Sequence, residues 1–164
     1  MSERRPPTPS QTVGPFFGFA LPFPGDAEAV EASGPEAVRI EGQLLDAEGV
    51  PVSDGLLEIW QGEQFARCRT DPEGAYHAVL RRPAPSGGPG GRPQAPHFNV
   101  TVFARGLLRH LATRMYLPGA DAADPVLEMV DPSRRATLVA REERGVLHFD
   151  VHLGGPDETV FFQL

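Results

Sequence analysis

His148, Asp150 and His152 stand at i, i+2 and i+4. On a strand that spacing puts three side chains on one face. Two imidazoles and a carboxylate are ordinary donors for zinc or a similar ion. A strand with one wet face gives the same alternation, and no fourth donor is visible in the sequence. We therefore expect a solvated face at this place. His97 is another candidate. It opens a run in which Phe98, Val100, Val102 and Ala104 share one face, while His97, Asn99, Thr101, Phe103 and Arg105 share the other. The apolar set reads as core. The polar set faces a ligand, a partner or water. Eight residues of strand put His97 and Arg105 roughly 26 Å apart. They cannot serve one small site in one chain. They can belong to two, one local and one shared with a neighbour.

The other candidates are weaker. Cys68 is the single cysteine, so no intrachain disulfide or thiolate cluster is available. It reads as a small half-buried side chain. Gly87-Gly88-Pro89-Gly90-Gly91 is rich in glycine, but Pro89 supplies no N–H and no Lys-Ser or Lys-Thr follows. It reads as a flexible connection. Glu41 and Glu58 are placed to face each other across strands, which without a pocket says nothing of acid–base work. No Gly-x-Ser-x-Gly nucleophile motif occurs.

The elements that must position these residues are short strands. Gly 18 and Pro 18 are high together in 164 residues, and both mark turns. Strand patterns occupy residues 38–45, 56–61, 75–80, 97–105, 111–117 and 145–153. In the last of these, Leu147, Phe149, Val151 and Leu153 point inward. Asp71-Pro72-Glu73-Gly74 has type I turn chemistry. Asp124-Pro125 and Asp131-Pro132 each start a short helical turn. Arg134 and Arg135 read as solvated charges. Residues 158–164 form a last strand or a docked tail. The expected fold is mostly β: a single-domain β-sandwich over 37–164, preceded by an extended arm and loop over 1–36. Prolines 6, 7, 9 and 15 keep that arm extended, and its Phe residues need something to dock on. It packs on its own domain or crosses to another subunit.

Hydrophobic content of 40% and charged content of 23% are ordinary for a soluble globular protein. The net charge of -7 argues against nucleic acid or an anionic membrane as partner. No apolar run reaches a membrane span, and the charged, proline-rich start lacks the apolar core of a signal peptide. A reducing, cytoplasmic setting is expected.

Several runs together resemble the alpha chains of the protocatechuate 3,4-dioxygenase family of intradiol dioxygenases. They are Thr8-Pro9-Ser10-Gln11-Thr12-Val13-Gly14-Pro15-Phe16, Leu57-Glu58-Ile59-Trp60-Gln61, Ala95-Pro96-His97-Phe98-Asn99, Phe103-Ala104-Arg105-Gly106 and Glu158-Thr159-Val160-Phe161-Phe162. They come in family order and cover nearly the whole chain. The resemblance implies homologous alpha and beta chains in a hetero-oligomer, which cleaves protocatechuate with O2 to 3-carboxy-cis,cis-muconate. It implies a non-haem Fe(III) held by two Tyr and two His of the beta partner.

Catalytic chains of the family carry a pattern like Arg-Pro-x-His-Ile-His-Phe. Here the run is Arg92-Pro93-Gln94-Ala95-Pro96-His97-Phe98, with Ala95 in the place of a ligand and only His97 left. The preceding residues 82–87 hold no tyrosine; Tyr76 and Tyr116 fall in strands. Fe(III) favours phenolate and imidazole donors. The resemblance thus implies no metal and no catalytic residue in this chain, and a degenerate relic pocket at Ala95 and His97. It also implies that Thr12, Gly14, Pro15 and Arg105 line a substrate pocket at the subunit interface, with Arg105 facing the substrate carboxylate. Phe16 departs from family members with Tyr there, and the segment 61–71 is short for the family. The alternative is a stand-alone β-sandwich that binds a small aromatic ligand or a protein partner. A metalloenzyme built on His148 and His152 is the weakest reading.

Overall fold

The computed structural model describes residues 17–120 and 124–163. Two sheets pack face to face, as the alternating patterns require. The first holds β1 (Ala37–Leu45), β4 (Ala75–Arg81), β9 (Arg141–Glu143), β10 (Val146–His148) and β11 (Val151–His152). β1 is its centre. It pairs antiparallel with β4 on one edge, and parallel with β10 and then β11 on the other. The second sheet runs β3 (Gln64–Arg69), β2 (Leu56–Gln61), β7 (His97–Phe103), β8 (Leu111–Tyr116), all antiparallel. Val38, Ile40, Leu44, Leu57, Ile59, Phe98, Val100, Val102, Leu147 and Val151 fill the space between them. The inward faces expected for β7 and for residues 145–153 are therefore those found, although Leu153 is only partly buried.

The strand β3 was not expected. Gly62 and Glu63 reverse the chain between β2 and β3, with Gly62 at φ 59°. A left-handed residue in a two-residue turn suits a tight hairpin. The short segment 61–71 is thus folded on its neighbour. The run 145–153 is interrupted after His148, where Asp150 turns its carboxylate onto the Gln43 N–H (2.9 Å). Glu41 and Glu58 do not face each other. They lie in different sheets, and each pairs with an arginine of its own sheet, Arg39 and Arg67.

The connections hold further corrections. The glycine-rich loop is a small ribbon of β5 (Ser86–Gly87) and β6 (Pro93–Gln94) around a single turn of 3-10 helix. Asp124 caps α2 (Pro125–Glu128) as expected. Asp131 caps only a turn through Ser133, and a 3-10 helix follows at Arg135–Leu138. Arg134 and Arg135 are not free solvated charges. They donate to the carbonyls of Glu158 (2.6 Å) and Val130 (3.0 Å). The C-terminal residues dock as a tail: Phe162 donates to the Ala112 carbonyl, and Val160 accepts from the Thr113 hydroxyl.

Of the expected arm, residues 1–16 lie outside the described residues. α1 (Phe17–Ala20) buries Phe17 and leaves Phe19 exposed. Residues 26–29 then close the open side of the sandwich: the Asp26 carbonyl accepts from the Arg67 N–H of β3, and Ala27 and Ala29 bond to Val79 of β4. Among the described residues no helix is long and apolar enough to cross a membrane.

Candidate functional site

β7 carries His97 at its first residue, and Arg105 lies just beyond its last, in the turn before Gly106. The two groups therefore sit at opposite ends of the second sheet. Each end has its own chemistry.

At the His97 end the polar groups satisfy one another. His97 was expected on a face open to ligand or water, but it is 8% exposed. Its cross-strand neighbour is Tyr116, with ring centroids 5.3 Å apart. Behind Tyr116 lies a second apolar cluster with Leu127, Val130 and Leu138, which covers this part of the sheet. Nδ1 of His97 is 2.7 Å from the Ala95 carbonyl. The Tyr116 hydroxyl donates to Asp124 Oδ1 (3.1 Å) and accepts from Arg114 (3.2 Å). Asp124 also accepts from the N–H groups of Ala95 (2.8 Å), Val126 (2.8 Å) and Leu127 (3.1 Å). Burial pushes the Asp124 carboxyl up, but these donors together outweigh it and hold the group below its ordinary value. Burial pushes the Tyr116 phenol up to about 12.

These residues do not fit an Fe(III) ion. The Tyr116 hydroxyl is already engaged between Asp124 and Arg114, whereas a hard ferric ion needs several free phenolate and imidazole donors at one centre. Ala95 offers only a methyl group. A cavity of about 280 Å³ beside Gln94, Ala95, Pro96 and Asp124 is small.

His97 gives a pH prediction. Burial is the main cause that pulls its value below the ordinary 6.5; Arg114 adds to this, while the Ala95 carbonyl and Asp124 oppose it. The fold thus favours neutral imidazole. That contribution is fully present above the unfolded value and is lost as pH falls through the lower folded value. We expect stability to drop between about pH 7.5 and about pH 5, and to drop less in His97→Gln. Urea midpoints at the two pH values measure it; equal drops in both proteins would clear His97 as a source.

At the Arg105 end the charge is open. Arg105 Nε stands 3.0 Å from Asp54 Oδ2, and the two side chains are 75% and 40% exposed. Asp54 lines a cleft of about 690 Å³ together with Phe17, Phe19, Asp26, Arg69 and His77. Phe17, where the described chain begins, is therefore a wall of the cleft whose rim holds the Arg105 partner. Thr12, Gly14 and Pro15 lie outside the described residues.

The remaining candidates come together less well. His148, Asp150 and His152 border a common cleft of about 650 Å³ with Arg141 and Thr159. Asp150 is already engaged by Gln43 and lies 3.7 Å from Arg141. Among the described residues no three His, Cys, Asp or Glu side chains form a metal-holding group. Cys68 is buried, and its thiol is pushed up to about 12, first by burial and then by Asp26. It is no nucleophile.

Sequence reasoning missed Asp54, Arg114 and the Tyr116–Asp124 bond. For Asp124 the helix-start signal was the available clue. The partners of the other groups are set by sheet register and by distant turns.

The sandwich has the fold of solved dioxygenases. A solved dioxygenase domain of a carbohydrate-binding fusion protein from Streptomyces sp. SirexAA-E superposes with a TM-score of 0.62 at 23% identity, covering 92% of this chain and 99% of that one. Catechol 1,2-dioxygenase from Acinetobacter sp. ADP1 gives 0.58 at 19% identity, with 76% and 55% covered. No family model matches the chain. The sequence narrows the class. The protocatechuate 3,4-dioxygenase alpha chain of Burkholderia cepacia is 38% identical, covering 96% of this chain and 97% of its own length. That of Pseudomonas putida is 35% identical, with 98% of each covered. The Burkholderia cepacia beta chain is 28% identical over 76% of this chain. The chain belongs to the protocatechuate 3,4-dioxygenase alpha-chain family. The first of these alignments spans 194 positions, more than the 164 residues here, so the relative carries segments that this chain lacks.

Proposed function

We propose that this chain is the alpha subunit of a cytoplasmic protocatechuate 3,4-dioxygenase, and that it completes an active site whose Fe(III) belongs to a homologous beta chain. The iron supplies the activation of diol and O2 that opens the ring to 3-carboxy-cis,cis-muconate. This chain contributes shape and charge. Arg105 faces the substrate carboxylate, and Thr12, Gly14 and Pro15, which lie outside the described residues, line the substrate pocket with it. The observation that carries the reading is the full-length likeness to alpha chains. The mutual hydrogen bonds of the cluster around His97 and the exposed guanidinium of Arg105 beside the Phe17 cleft both support it.

The test is iron content and ring cleavage, measured for the chain alone and after co-expression with a beta chain. Neither is expected in the lone chain, and both in the complex. In the complex, Arg105→Ala should raise KM for protocatechuate about tenfold, since one charge-assisted contact to a carboxylate is lost. Stoichiometric iron in the lone chain would overturn the assignment of the metal to the partner. An unchanged KM would remove Arg105 from the pocket.

A further inference from the structure

The pair between Arg105 and Asp54 has little to do for the fold. Both side chains are largely in water, and exposed pairs contribute little net stability. Asp54 also differs from three other turn aspartates. Asp46 accepts from the N–H groups of Glu48 and Val50, Asp71 from those of Glu73 and Ala75, and Asp131 from the N–H and hydroxyl of Ser133. Each holds its own turn. Asp54 accepts no backbone N–H among the described residues. The N–H of the next residue, Gly55, goes instead to the buried Thr70 hydroxyl (2.8 Å). Thr70 thus does the work that a turn aspartate ordinarily does, and the Asp54 carboxylate is left to reach Arg105.

The closest approach to Asp54 is at Nε. The contact is an ion pair: no guanidinium nitrogen of Arg105 makes a hydrogen bond among the described residues, and Nη1 and Nη2 lie on the far side of the closest approach. A guanidinium paired at its inner nitrogen leaves the outer two as a fork, which matches the two oxygens of a carboxylate. Arg105 needs such a hold. It stands in an exposed turn before Gly106 (φ 92°), and a long side chain there samples many rotamers that a ligand would have to freeze.

We propose that Asp54 is a positioning residue for substrate recognition. It fixes Arg105 so that Nη1 and Nη2 meet the carboxylate of an aromatic acid end-on, and it thereby favours carboxylated diols over plain ones. This rests on the reading of Arg105 as a pocket residue. Asp54 itself does not touch the substrate.

The experiment is a double-mutant cycle in the assembled alpha–beta enzyme, with Asp54→Ala, Arg105→Ala and the double variant. KM and kcat are read with protocatechuate. Competition by catechol, the same diol without the carboxylate, is read beside them. Asp54→Ala should raise KM for protocatechuate about fivefold, leave kcat within about twofold, and leave catechol binding unchanged. The double variant should match Arg105→Ala alone, because Asp54 acts through Arg105. Should Asp54→Ala not assemble, Asp54→Asn retains an oxygen toward the guanidinium and is expected to raise KM about twofold; no rise would overturn the proposal. If Arg105→Ala raises KM while Asp54→Ala does not, positioning falls and the pocket reading stands. Positioning falls in the same way if the two effects add, or if catechol binding weakens equally. If Arg105→Ala changes nothing, the pocket reading fails and positioning falls with it.

Discussion

Asp124→Ala is expected to destabilise the chain by about 3–5 kcal/mol. Four donors converge on this buried carboxylate: the N–H groups of Ala95, Val126 and Leu127 and the Tyr116 hydroxyl. Loss of a helix cap alone costs about 1 kcal/mol. Hydrogen bonds to a charged group are worth about 1.5–3 kcal/mol each, and donors left buried without an acceptor cost about 1–3 kcal/mol. The bonds form one network, so the sum is well below the total of its parts. The sign of the pH effect follows from the lowered Asp124 value. The carboxylate stabilises the fold above its ordinary value of 3.8, and that contribution disappears as pH falls through the lower folded value. The gap between wild type and Asp124→Ala should therefore be wide at about pH 7 and narrow at about pH 3. Denaturant midpoints at both values test it. A gap under about 1 kcal/mol at neutral pH would mean that water replaces the carboxylate and that the cluster does not organise this end.

The same network separates the two ends of the molecule. Where Ala95, Tyr116 and Asp124 answer one another, little remains to bind a ligand. Where Arg105 leans on one exposed carboxylate, its outer nitrogens make no hydrogen bond among the described residues. Polar capacity is left over at the end of β7 beside the Phe17 cleft, which is where the proposed pocket puts Arg105.

Much of this was legible in the sequence for local reasons. The alternation of Phe98, Val100, Val102 and Ala104 is a period-2 signal, and sheet packing obeyed it. Asp124 before Pro125 is a cap signal, and the cap formed. The failures are of another kind. His97 looked wet because its strand alternates, yet residues 124–138 fold over that corner, and no period records such a contact. β3 was overlooked because its outer residues are Phe65, Arg67 and Arg69, which hide the alternation. They are served by Trp60, by Glu58 and by the Leu21 and Gly18 carbonyls. Asp54 was invisible because its partner is distant in sequence, and because only the Thr70–Gly55 bond shows that it is spare. The family was legible where the fold details were not, since its motifs are scattered along the whole chain and depend on identity rather than on period.

Gly42→Ala carries the other large expected effect, because β1 and the segment after β10 meet there with no room for a methyl group. A Cβ on Gly42 would stand 1.8 Å from the Phe149 carbonyl oxygen, 2.7 Å from its carbon and 2.9 Å from the Tyr76 hydroxyl. The nearest atoms are backbone, so no rotamer change relieves the clash. β1 must move, and three bonds are strained with it: Tyr76 hydroxyl to Phe149 carbonyl (2.5 Å), Phe149 N–H to Glu41 carbonyl (2.9 Å) and Gln43 N–H to Asp150 (2.9 Å). Overpacking costs about 1–3 kcal/mol, and weakened buried hydrogen bonds add to it. We expect a loss of about 4 kcal/mol, or roughly 10 °C in Tm for a chain of this size. Tyr76→Phe should not rescue it, since the carbonyl oxygen and not the hydroxyl is the closest obstacle. Thermal unfolding of the two single variants and the double decides the matter. A Gly42→Ala chain that melts within about 2 °C of wild type would show that β1 and residues 149–150 separate freely. The parallel pairing of β1 with β10 and β11 would then not be what holds the first sheet together.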